Sequence, residues 1–210
     1  MIDKIHWLGH DSFRIDASKT TIFIDPWQIK PQKQKADLVL VTHEHFDHCS
    51  KRDIEKIRTN NTVVVGSVQC SGELVGIKTL KPGEKSVGQG VKIEAVPAYN
   101  TNKFREPGKP FHPKIDQKLG YVIEVDGKRI YHAGDTDSIP EMSELKNIDI
   151  ALLPVSGTYV MTAEEAAEAA NKIRPRLAVP MHYGSIVGSR KDAEKFKELC
   201  KYKVKILEKE

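Results

Sequence analysis

Cysteine is scarce in this chain, and what there is cannot staple a fold. Cys49, Cys70 and Cys200 are odd in number, far apart and in no C-x-x-C pair, which argues against a disulfide framework and fits a reducing compartment. Long apolar runs are missing too. No stretch approaches the ~20 residues needed to span a bilayer, and the N-terminus lacks a basic segment leading into an apolar core, so the expected address is the cytoplasm with no membrane span. Nor does one sign of charge dominate. The net charge is +4 with no long one-sign run, so bulk charge does not call for nucleic acid. Few aromatics interleave with the basic residues, as a single-strand-binding face would need. What remains, 39% apolar and 30% charged residues over 210 positions, is enough for one buried core, and no composition break divides residues 1–210 into two domains.

Short β-like runs open the chain at Lys4 to Leu8, Phe13 to Asp16 and Thr21 to Asp25. A polar link, Lys30 to Lys35, leads to the apolar strand Leu38-Val39-Leu40-Val41. Ser50 with Asp53 reads as a helix start, because a hydroxyl can cap the free N–H groups of a first turn. Further strands are expected at Thr62–Val65, Ile77–Leu80 and Val91–Val96. Asp126-Gly127, between Leu119–Val125 and Arg129–His132, is a hairpin turn whose residues both tolerate positive φ. Beyond residue 145 the pattern alternates. A buried strand spans Ile148 to Leu153, and a Thr162/Glu165 capping box opens an Ala-rich helix to about Ile173. A strand at Leu177–Val179, a helix from Ser189 to about Cys200, and a closing strand at Val204–Leu207 complete the chain. Strands first, then mixed units, with helices flanking, read as two sheets between helix layers.

The residues that carry chemistry follow the apolar strand directly, in Thr42-His43-Glu44-His45-Phe46-Asp47-His48. Of the eight histidines in the chain, three fall in this one short window. Imidazole with carboxylate suits zinc, iron or manganese at sites where water is activated. In a strand-like stretch, residues two apart point the same way, so His43 and His45 can grip one ion. As the chain turns, Asp47 and His48 can address a second. Cys49 directly follows, and is read as a small buried residue rather than a ligand.

The H-x-H-x-D-H string resembles the signature of the metallo-β-lactamase superfamily, and other words keep the family order. Trp7-Leu8-Gly9-His10 and Ile24-Asp25-Pro26 look like its opening strands, Ala133-Gly134-Asp135-Thr136-Asp137 like its bridging-aspartate turn, and Pro180-Met181-His182-Tyr183-Gly184 like its last histidine. The Gly-His-Asp-Ser-Phe opening looks most like the group that includes L-ascorbate-6-phosphate lactonase and N-acyl-phosphatidylethanolamine phospholipase D. The resemblance implies an α/β fold, a four-layer αββα sandwich. It implies a first metal on His43 and His45, a second on Asp47, His48 and His182, and Asp135 bridging them. The expected cofactor is a pair of divalent ions, zinc first, with manganese or iron as alternatives. Two such ions about 3.5–4 Å apart share a hydroxide that attacks the substrate. Asp47 can also shuttle the proton, and no G-x-S-x-G elbow supplies a serine nucleophile. Di-iron flavoproteins of the superfamily carry glutamate at position 45; His45 favours hydrolysis over oxygen or nitric-oxide reduction.

Other positions admit two readings each. Asp25 either fixes an imidazole tautomer from behind or caps its strand before Pro26. His10 lines the pocket or merely packs. Many relatives complete the first metal's ligands with a histidine where this chain has Asn100, in Pro97-Ala98-Tyr99-Asn100. Either that position is weak or His112 substitutes, unless His112 is simply an exposed loop residue. The long stretch from Tyr99 to Leu119 reads as a lid or a solvated loop. In it Lys103, Arg105, Lys109 and Lys114 would offer a positive face to a phosphate or carboxylate. The expected activity is hydrolysis of a small anionic ester, lactone or phosphodiester. The alternatives are a nuclease-type phosphodiesterase and a metal-bound sensor without turnover. Oligomeric state is left open.

Overall fold

The run Leu38–Val41 is apolar at every position because the strand it forms is covered on both faces. In the computed structural model, which describes residues 1–210, Leu38 and Leu40 enter the large cluster between the two sheets. Val39 and Val41 instead face a smaller cluster with Ile54 and Ile57 of the flanking helix. The same alternation places Ile22 and Ile24 inward and Phe23 outward.

The first sheet has β1 (Ile5–Gly9), β2 (Ser12–Asp16), β3 (Thr21–Ile24) and β4 (Leu38–Val41), then, after helix α1 (Lys51–Ile57), β5 (Val63–Ser67) and β6 (Lys78–Leu80). Its strands lie in chain order, antiparallel from β1 to β3 and parallel from β3 to β6. The second sheet contains β7 (Lys85–Gly88) and β8 (Val91–Pro97). After a small hairpin of β9 (Phe104–Glu106) and β10 (Lys109–Pro110), it continues with β11 (Leu119–Val125), β12 (Lys128–His132), β13 (Ile150–Pro154) and, beyond helix α2 (Ala163–Ile173), β14 (Leu177–Met181). Its order is β14-β13-β12-β11-β8-β7. Helix α3 (Arg190–Leu199) packs beside α2, whose buried alanines join the main cluster. This is the expected αββα sandwich.

Local signals behave as the sequence implies. Asp126 and Gly127 both have positive φ, at 49° and 67°. Thr162 and Glu165 form the reciprocal cap of α2, and Asp53 N–H donates to the Ser50 hydroxyl at the start of α1. One expectation needs correcting. Val204–Leu207 is not a strand: Val204 makes a single bridge to Ala178 and Lys209 another to Trp7. The tail thus passes from the edge at β14 to the edge at β1 and covers an unpaired strand edge in each sheet, as folds commonly do.

One turn is fixed by sterics. Gly134, just before Asp135, has φ of 62°, and a Cβ there would meet the Leu119 carbonyl oxygen at 2.5 Å. Gly134→Ala is therefore expected to lower unfolding free energy by about 1–3 kcal/mol. Urea denaturation would read this as a lower midpoint; an unchanged midpoint would contradict it.

Candidate metal centre

Strand ends from both sheets converge. The β4 end delivers His43 to His48, the β12 end Asp135 and the β14 end His182, while the β1–β2 turn adds His10 and Asp11. Loops held by rigid strands are where chemistry concentrates. Two of these residues, His10 and His182, and Asp25 at the end of β3 hold left-handed backbone angles (φ 52°, 59° and 43°), a strain that rigid surroundings must maintain.

The ligand-type atoms form three overlapping groups: His43, His45 and His112; His43, His48 and Asp135; and His10, Asp11, His48 and His182. Asp135 links them. Its Oδ1 lies 3.4 Å from His48 Nε2, and its Oδ2 lies 3.3 Å from His112 Nε2 and 3.4 Å from His182 Nε2. Two atoms bound to one ion at ~2.0–2.2 Å stand about 2.8–3.6 Å apart at ordinary coordination angles. The observed separations therefore suit shared ions.

The far side of four of the imidazoles is anchored. His48 Nδ1 lies 2.8 Å from Asp25 Oδ2, His43 Nδ1 3.0 Å from the Thr42 hydroxyl, His182 Nδ1 2.8 Å from the Ser156 hydroxyl, and His112 Nδ1 2.9 Å from Asn100 Oδ1. Their Nε2 atoms are buried and lack a hydrogen-bond partner, as do Asp135 Oδ1 and both oxygens of Asp11. Buried polar atoms are nearly always satisfied. Four histidines tied at Nδ1 with Nε2 left toward one point are what metal ligation needs, because the outer bond fixes ring and tautomer. The donors fit divalent metal.

The electrostatics agree. Burial pushes His43 well below the usual range, helped by His48, and brings His112 down to about 3. Burial would lower His48 too, but Asp135 and Asp25 outweigh it and hold the ring well above normal. His182 is likewise held at about 9 by Asp135 and Asp11 against its burial. Without an ion, this centre draws in protons as its positive charge.

Asp25 stands behind His48 rather than acting as a cap alone, accepting from Thr42 N–H at 2.7 Å and the Thr42 hydroxyl at 2.6 Å. His112 is buried, not exposed, and its ring centre lies 5.0 Å from that of His45. Both ends of the Asn100 amide are engaged: its oxygen accepts from the backbone and ring of His112, while its nitrogen donates to Asp137 and Tyr159. It positions His112 instead of facing the centre. Asp47 lies outside the three groups, with Oδ2 3.1 Å from His10 Nε2 and 3.8 Å from His48 Nε2. Cys49 packs in the apolar cluster beside Cys70.

The basic face expected on the Tyr99–Leu119 stretch does not form. Lys103 pairs with Glu165, Lys109 with Glu106 and Lys114 with Glu141, while Arg105 lies over the Phe111 ring. The cation near the centre is Lys118, which the sequence reading missed. It is buried, bonded to Glu44, and 3.4 Å from His45 Nε2. Asp11 was missed as well, although it directly follows His10 in the Gly-His-Asp word.

Comparison with known proteins gives the lineage. The beta-lactamase superfamily domain matches residues 4–182. A UPF0173 metal-dependent hydrolase of Thermococcus onnurineus is 36% identical, covering 97% of this chain and 95% of that protein. A crystal structure from Parabacteroides distasonis, assigned as a metal-dependent hydrolase, is 36% identical with a TM-score of 0.85, covering 97% and 93% of the two chains. Igni18, a metallo hydrolase of Ignicoccus hospitalis, is 28% identical with a TM-score of 0.75, covering 97% and 94%. The superfamily read from the H-x-H-x-D-H string is borne out: the chain belongs to the beta-lactamase superfamily and, within it, to the UPF0173 metal-dependent hydrolase family.

Proposed function

We propose that this protein hydrolyses a small anionic ester, lactone or phosphodiester with two divalent ions, zinc first and manganese or iron as alternatives. His43, His45 and His112 would hold one ion, His48 and His182 the other, with Asp135 between them and Asp47 at the rim. The observation that carries this reading is the set of buried, unpartnered Nε2 and carboxylate atoms turned toward one point from both sheets. Bound there, divalent ions acidify water to near neutral pH and polarise a carbonyl or phosphoryl oxygen.

The chain's own groups do the rest. Burial would raise the Asp47 carboxyl, but the His10 hydrogen bond and nearby His48 outweigh it and keep it below the usual range. Asp47 is therefore ionised near neutrality and accepts the proton of the attacking water, while His10 fixes its orientation. Lys118 gives the substrate's anionic group a partly desolvated cation, with Glu44 holding the ammonium in place. Phe46, 69% exposed, meets Trp27 edge-on with ring centres 6.0 Å apart. That pair forms an apolar lip for an acyl or aryl part of the substrate. The free cysteines suit a reducing cytoplasm, and no helix is long and apolar enough to cross a membrane.

The test is chelator-stripped protein reloaded with zinc, manganese or ferrous iron and assayed on phosphodiesters, lactones, carboxyl esters and thioesters. Metal-restored turnover on one anionic class is expected. Full metal loading with no turnover anywhere in the panel would favour the non-catalytic sensor.

A further inference from the structure

The turn between β1 and β2 carries a carboxylate for which the hydrolytic reading has no task. Asp11 is fully buried and neither oxygen has a hydrogen-bond partner. By contrast, Asp25 is held by Thr42 and His48, and Asp47 by His10. An ionised carboxylate away from water and without donors is heavily disfavoured unless a cation compensates it. The groups facing it are His48 Nε2 at 3.5 Å and His182 Nε2 at 3.9 Å, both unpartnered themselves. The turn cannot swing the side chain outward. The His10 carbonyl accepts from Trp7 Nε1 at 2.8 Å and from His182 N–H at 3.1 Å, and the Asp11 carbonyl lies 2.9 Å from His132 Nε2.

We propose that Asp11 is an additional carboxylate ligand at the second metal position, beside His48, His182 and Asp135. The proposal rests on the metal-centre reading above. Asp11 is better placed for this than Asp47, whose nearest approach to His48 Nε2 is 3.8 Å and whose oxygen His10 already engages. The two positions then differ in chemistry. The first has three imidazoles and one shared carboxylate; the second has two imidazoles and two carboxylates. Oxygen donors shift preference toward manganese and ferrous iron, whereas imidazole also suits zinc. The consequence is a mixed centre, with zinc at the first position and a harder ion at the second.

The experiment uses Asp11→Asn, which keeps the shape and removes the charge, with Asp11→Ser as a second variant. Stripped proteins receive one equivalent of zinc, and manganese is then titrated while the free ion is followed by electron paramagnetic resonance. The wild type should take up one manganese per chain. Both variants should bind it at least ~10-fold more weakly, while the first equivalent of zinc is bound unchanged. Their metal-free forms should unfold at about the wild-type temperature, because the carboxylate removed makes no hydrogen bond to the rest of the fold. Wild-type manganese affinity in the variants overturns the role of Asp11 while leaving the metal centre standing, and so does a lower metal-free unfolding temperature with affinity unchanged. A wild type that binds neither ion overturns both readings.

Discussion

Asp135→Ala is expected to lower kcat by about 10³-fold or more, equivalent to roughly 4 kcal/mol of lost transition-state stabilisation, and to reduce metal content below two ions per chain. Asp135 is the one carboxylate whose atoms approach His48, His112 and His182 together, at 3.3–3.4 Å. Two divalent ions about 3.5–4 Å apart repel strongly, and a shared carboxylate offsets that repulsion. Kinetics with metal analysis on the same preparation checks both halves. A variant that keeps two ions and turns over within tenfold of wild type would contradict the bridging role.

The second large effect is expected at His112. His112→Ala should empty the position it shares with His43 and His45 and reduce turnover by about 10²–10³-fold, the loss of one directly liganding imidazole where several kcal/mol of charge stabilisation is at stake. Asn100→Ala should do less, about 10–100-fold in metal affinity, the usual cost of removing a group that orients a ligand. Asn100→His should not restore a ligand, since it removes the amide oxygen that accepts from His112 N–H at 2.8 Å and faces His112 Nδ1 at 2.9 Å. Metal titration of the three variants orders them. If Asn100→His binds metal more tightly than wild type, Asn100 is a weak ligand rather than the residue that positions His112.

The sequence revealed what is local and concealed what is long-range. His43 to His48 were legible because one strand end carries them consecutively, and the cap of α2 and the Asp126-Gly127 turn because each is closed within a few residues. Asp135 and His182 needed the family resemblance, since each alone reads as an ordinary turn aspartate or packed histidine. The centre's other partners are set by folding. Lys118 meets Glu44 across 74 positions, and Lys103 meets Glu165 across 62. No spacing rule reaches that far, so a run of lysines looked like a positive lid when the fold had matched it to carboxylates. Asp11 escaped notice because only burial of both its oxygens distinguishes it from a solvated turn residue. β7, Lys85–Gly88, is a short edge strand with one valine and an exposed face, too sparse a pattern to register.

Anomalous diffraction at the metal absorption edge, on crystals of the metal-loaded protein, addresses the two-ion centre directly. The expected map holds two peaks about 3.5–4 Å apart, one against His43, His45 and His112, the other against His48 and His182, with Asp135 touching both. A single peak, or peaks away from Asp135, would contradict it.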